Sequence, residues 1–144
     1  MKKRIAAIFV LTFFVAFVLS GCAASLNHSD VASFADPMTE NLLIAMNDNN
    51  YSAFSKDLDS AMKNAVPKDK FPALISQIEG KIGKYVPNSK RFVKAYQTGK
   101  FTNVVYKAKF TNESSVTVRV AFDKESGVFK VSGLWFDSPK LRKK

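Results

Sequence analysis

From Asp30 the apolar positions recur at spacings of three and four: Val31, Phe34, Met38, Leu42, Ala45 and Met46 fall on one face of a helix. Pro37 lies inside this run, so either Asp36 caps a helix starting at Pro37 or one longer helix is kinked there. The turn-forming Asn47-Asp48-Asn49-Asn50 ends it. A second helical stretch carries Tyr51, Phe54, Leu58, Met62 and Val66 on one side and Ser52, Lys56, Asp59 and Lys63 on the other, up to Pro67. A third places Phe71, Leu74, Ile75, Ile78 and Ile82 together and fades through Gly80 and Gly83 before Pro87.

Beyond Pro87 the period falls to two, the signature of half-buried strands. Arg91 to Thr98 alternates Phe92, Lys94 and Tyr96 against Arg91, Val93 and Ala95, and Thr98-Gly99-Lys100 supplies a turn. The next strand sets Val104, Tyr106, Ala108 and Phe110 opposite Asn103, Lys107, Lys109 and Thr111. After Asn112-Glu113-Ser114, a third strand turns Val116, Val118, Val120 and Phe122 inward and Thr117, Arg119 and Asp123 outward. Lys124-Glu125-Ser126-Gly127 closes a hairpin with Val128 to Phe136, which is apolar on both sides near Leu134-Trp135-Phe136 and so predicts a central or helix-covered strand. The expected fold is α+β, three helices packed on a curved four-stranded antiparallel sheet, in one domain over residues 31–137 with a frayed basic tail at 138–144.

The first 21 residues follow a different rule. Lys2-Lys3-Arg4 precede an apolar run from Ile5 to Leu19, shorter than the ~20 residues that span a bilayer, which reads as an export signal. Leu19-Ser20-Gly21-Cys22 resembles the lipobox of bacterial lipoproteins. The resemblance implies cleavage between Gly21 and Cys22, a diacylglycerol thioether on Cys22, and an extracytoplasmic domain held to the membrane by that lipid. Residues 22–30 then read as lipidated cysteine plus tether, with His28 exposed in it. An uncleaved anchor, or a plain secretory signal with a spare thiol, is the alternative.

Cys22 is the only cysteine and His28 the only histidine, so neither an internal disulfide nor a His/Cys metal site can be assembled. Without the leader the net charge is +7, split unevenly: −4 over residues 22–66 and +11 over residues 67–144. The bland account is a lysine-rich solvated surface. A basic half tied to a membrane is also suited to anionic lipid or an acidic wall polymer, through Lys81, Lys84, Lys90, Arg91, Lys94, Lys100, Lys107 and Lys109. Nucleic acid is no partner for an exported chain.

The segments Asn49-Asn50-Tyr51-Ser52-Ala53-Phe54, Asp57-Leu58-Asp59-Ser60-Ala61-Met62 and Val131-Ser132-Gly133-Leu134-Trp135-Phe136 resemble domain-of-unknown-function family 3887. That family is similar to the nuclear transport factor 2-like superfamily of cone-shaped α+β domains, which includes ketosteroid isomerase and polyketide cyclases. The resemblance implies a conical pocket between helices and sheet, and pairing of two copies through their sheets. Pocket candidates are Tyr51, Asp57, Tyr96, Tyr106 and Trp135. An acid–base enzyme there would need a cavity-facing carboxylate, from Asp57 or Asp59, and a tyrosine donor. Nothing sets these apart from solvated helix acids and core tyrosines, and neither a nucleophile elbow nor a glycine-rich phosphate loop occurs. The expected function is therefore a non-catalytic envelope lipoprotein, without cofactor or metal, that binds a small apolar ligand in its pocket or a partner on its sheet.

Overall fold

The computed structural model describes residues 23–144, so the leader, Gly21 and Cys22 lie outside the described residues. Strand β1 (Ala24–Leu26) leads directly into helix α1 (His28–Asn47), followed by α2 (Tyr51–Ser55), α3 (Ser60–Ala65) and α4 (Phe71–Ile82). Strands β2 (Arg91–Thr98), β3 (Phe101–Phe110), β4 (Glu113–Glu125) and β5 (Val128–Asp137) follow, and α5 (Pro139–Arg142) closes the chain. The strands form one antiparallel sheet in the order β1-β2-β3-β4-β5.

The expectation of three helices on a four-stranded sheet is thus corrected, among the described residues, to five helices and five strands, still α+β. Three local causes account for the difference. Residues 24–26, which carry no period long enough to signal a strand, pair with Gln97, Tyr96 and Ala95 at the edge of the sheet. The second helical stretch is interrupted because Leu58 bridges to Val131, while the Asp59 amide donates to the Val131 carbonyl (2.9 Å) and the Val131 amide to the Asp57 carbonyl (2.7 Å). Asp59 then restarts the helix, its carboxylate accepting the Met62 amide at 2.7 Å. At the C-terminus, buried Ser138 caps α5, and Lys81 donates to the carbonyls of Leu141 and Lys143.

Helix α1 runs through Pro37 unbroken, the longer of the two alternatives. Its opening is not a tether: His28 stacks on Phe92 (centroids 4.4 Å apart) and bonds Asp36 at 2.8 Å. One face of the sheet lies under the helices. Val104, Tyr106, Val118, Val120, Phe122 and Val131 meet Leu42, Leu43, Phe54, Leu58 and Phe71, all but fully buried. A bulge at Val93 puts Phe92 and Ala95 on this same face, which breaks the simple alternation expected in β2. Strand β5 is an edge strand rather than a central one, but the other alternative holds for one of its faces, which α3 and α5 contact: Leu134 and Phe136 pack against the core, while Trp135 points the other way and is 46% exposed.

Two carboxylates of α1 tie the helix to the rest of the domain. Asp36 accepts the Tyr106 hydroxyl at 2.7 Å. Glu40 accepts the Tyr85 hydroxyl (2.9 and 3.1 Å), the Asn88 amide (2.9 Å) and the Lys90 ammonium (2.5 Å). Burial pushes the Glu40 carboxyl up, but the hydrogen bonds from Lys90, Asn88 and Tyr85 outweigh it and hold it below its ordinary 4.5. Burial, then Glu40 itself, pushes the Tyr85 hydroxyl up to about 12. A carboxyl depressed in the folded state stabilises fully above its unfolded value and stops doing so as the pH falls through the folded one. Glu40→Ala should therefore cost about 2 kcal/mol at neutral pH, and the gap from wild type should narrow between neutral pH and a pH well below the ordinary carboxyl value of 4.5. Urea unfolding at the two extremes checks this.

Candidate functional site

Outside the core face, the sheet presents a surface free of helices among the described residues, and its shape follows from side-chain size along two adjacent rows of cross-strand neighbours. One row reads Tyr96, Asn103, Ala121 and Gly133 across β2 to β5; the next reads Lys94, Val105, Arg119 and Trp135. Side chains shrink along the first row and stay large along the second, so the first row is a depression with Tyr96 at one end and Phe101 and Trp135 on its flanks. The result is an open groove of about 440 Å³ lined by Tyr96, Phe101, Asn103, Arg119, Ala121 and Trp135, among others. A second concavity of about 300 Å³ shares Tyr96, Arg119 and Trp135 and extends the surface to Lys94 and Thr117.

Gly133 is essential to this shape, since a Cβ there would stand 2.2 Å from the Trp135 ring. The indole lies across the bare backbone, and the Arg119 guanidinium sits over it at 4.3 Å from the ring centroid. The ring is thereby held by two contacts while almost half of the residue stays exposed. On the β2 side the Lys94 ammonium lies 5.5 Å from the Tyr96 ring centroid. Polar character comes from the largely buried Asn103 and from Ser132, whose hydroxyl donates to Asp59 at 2.6 Å. Aromatic faces, a guanidinium and an amide can hold a flat apolar group together with an anionic or hydrogen-bonding one.

Of the pocket residues expected from the sequence, the structure brings only Tyr96 and Trp135 to this groove. Tyr51 packs on Phe71 and donates its hydroxyl to the Val66 carbonyl at 3.0 Å. Asp57 lies beside Asn41 on the helix side (3.4 Å), and Tyr106 is in the core. The layer between helices and sheet, where a conical pocket was expected, is filled by Phe54, Phe71, Phe122, Leu42, Leu43 and Tyr106. Phe101, Asn103, Arg119 and Gly133 were missed. The signal that could have found them is the doubly apolar end of β5, because an edge strand with a tryptophan on its outer face advertises a surface built for contact.

The eight cations do not form one patch. Lys90 is bound to Glu40, Lys100 to Asp123 at 2.7 Å, and Lys84 to the Asn47 carbonyl at 3.1 Å. Lys81 holds the C-terminal helix, and Lys94 belongs to the groove. Only Arg91, Lys107 and Lys109 converge, around a concavity of about 210 Å³ with Ser89 and Ser114. Among the described residues no three metal-ligating side chains cluster, and no helix is long and apolar enough to cross a membrane.

Neither a curated protein nor a solved structure matches the chain. A family model does match, over residues 39–131, from the middle of α1 into the start of β5. The match takes in the Tyr96, Asn103 and Arg119 part of the groove and stops short of Gly133 and Trp135. Covering well over half of the sequence, it establishes that the chain belongs to the family described as Protein of unknown function (DUF3887).

Proposed function

We propose that this protein is an exported lipoprotein, tied to the membrane through Cys22, whose domain is a non-catalytic binding module using the open face of its sheet. The leader and the Leu19-Ser20-Gly21-Cys22 sequence support the anchoring part of the reading. The observation that carries the binding part is the groove itself, where a half-exposed tryptophan is propped between Arg119 and Gly133 instead of being buried. Exposed aromatics held rigid in a concavity are the usual anchors of recognition. Half-buried Asp36 and Glu40 serve to fasten α1, which leaves them no catalytic task. A second copy on the same face would set Lys94 and Arg119 near their own images, a like-charge cost that favours a different ligand or partner.

Anilinonaphthalene sulfonate, an aromatic anion, matches the chemistry of the groove and serves as its probe. Trp135→Ala or Arg119→Ala should weaken its binding to the folded protein about tenfold, through loss of stacking and of the cationic partner. Val93→Ala, at a half-exposed apolar residue on β2 outside the groove, should leave it unchanged. Equal binding by all variants, with unchanged circular dichroism, would remove the groove from the reading. The convergence of Arg91, Lys107 and Lys109 favours, as a second reading, contact with an acidic polymer at that end of the sheet.

A further inference from the structure

The 22 residues outside the described structure end at one particular place on the domain. Ala24 pairs with Gln97, next to the β2–β3 turn, and Cys22 precedes Ala24 by two residues, so chain geometry keeps it within about 7 Å of that strand end. Ala23 alone separates Cys22 from β1. Whatever holds Cys22 holds this end of the sheet.

The same end carries a second turn. Thr102 pairs with Phe122, so the β4–β5 hairpin, with its tip at Ser126 and Gly127, projects in the same direction as the β2–β3 turn. Both tip residues have positive φ (53° and 80°), the tight turn that pushes the flanking side chains outward. Next to the two turns stand Phe101, 37% exposed, and Val128, 57% exposed. At each turn a lysine reaches over an aromatic ring, its ammonium 5.2 Å from the centroid for Lys100 over Phe101 and 5.0 Å for Lys124 over Phe129. Such stems lie along apolar surface while the ammonium reaches upward to polar headgroups.

The carboxylates at this end are already engaged. Asp123 is bound by Lys100, whose ammonium holds it below the usual carboxylate range, and Glu125 accepts the Ser60 hydroxyl at 2.6 Å. The opposite end differs in kind. Its β3–β4 turn is Thr111-Asn112, with Arg91, Lys107 and Lys109 beside it, roughly 27 Å away along β3.

From this placement we infer that the end of the sheet bearing the β2–β3 turn and the β4–β5 hairpin rests on the lipid bilayer, with Phe101 and Val128 in its interface and Lys100 and Lys124 at headgroup level. The inference rests on the proposed attachment through Cys22 and adds an orientation to it. The groove then has its Thr98 and Phe101 rim at the bilayer, and the Arg91, Lys107 and Lys109 cluster points away from it.

The test uses tryptophan as a depth marker. In a Trp135→Phe background, single variants Phe101→Trp, Val128→Trp and Ser114→Trp are isolated from membranes and reconstituted in phosphatidylethanolamine–phosphatidylglycerol vesicles containing brominated acyl chains. Quenching at positions 101 and 128 should exceed that at 114 at least threefold, and double replacement by Phe101→Asp and Val128→Asp should leave the anchored protein unable to bury a tryptophan placed at 100. Equal quenching at the three positions overturns the orientation. Mass analysis of the N-terminal peptide decides separately whether Cys22 carries lipid. If it does not, the protein is coupled through its single thiol to a maleimide phospholipid and the same quenching comparison decides.

Discussion

Cys22→Ser is expected to abolish fatty-acid labelling and to remove the mature-length protein from the membrane fraction, leaving unprocessed chain. A hydroxyl cannot replace the thiolate as acceptor of the diacylglyceryl group, and the chain has no other thiol to take it. The size of the effect follows from the anchor's chemistry. At ~0.8 kcal/mol per buried methylene, two acyl chains give stable attachment where one gives marginal, reversible binding. Nothing in the described domain replaces that, because its exposed large apolar residues, such as Ile44 on α1, Val93 on β2 and Val128 on β5, are single side chains scattered over different elements. Growth with labelled palmitate followed by fractionation reads both parts. A shortened, unlabelled chain retained in the membrane would contradict the lipoprotein reading.

The second large effect concerns the core. Phe122→Ala should destabilise the domain by about 3–5 kcal/mol and lower its melting temperature by roughly 10–20 °C. The side chain is completely buried, stands edge-on to Phe34 (5.2 Å between centroids), and sits at the bulge where β4 and β5 shift register after Ala121. Its loss empties a space that Phe34, stacked on Phe129 at 3.8 Å, cannot collapse into without leaving that partner. With no disulfide to compensate, the loss falls directly on a total of about 5–15 kcal/mol. Thermal melts by circular dichroism give the number. A change under 1 kcal/mol would mean that this interior repacks far more freely than its aromatic contacts imply.

Where burial alone dictates residue type, the chain announced its structure well. The stripe from Phe71 to Ile82 is helix α4 with the expected bounds, and the alternations from Val104 to Phe110 and from Val116 to Phe122 put the expected side chains in the core. Pairing partners were harder to read. Ala24–Leu26 is a strand because β2 offers it an edge, and Leu58 leaves the helix because Val131 offers it a bridge, so neither is visible in local periodicity. The groove was half legible for a related reason. Tyr96 and Trp135 stand out by type, but the depression between them consists of side chains that are small or absent, at Ala121 and Gly133, and a missing atom leaves little trace in a hydrophobic pattern.

The three-residue β1 also has a mechanical consequence. A pull transmitted along the chain from ahead of Ala24 acts parallel to the strand axis, so it slides β1 against β2 and loads their hydrogen bonds together instead of unzipping them one at a time. Sideways traction would peel the same short ladder bond by bond. The domain should thus resist a tug straight off its support better than a drag across it, an anisotropy that force spectroscopy with two attachment geometries would resolve.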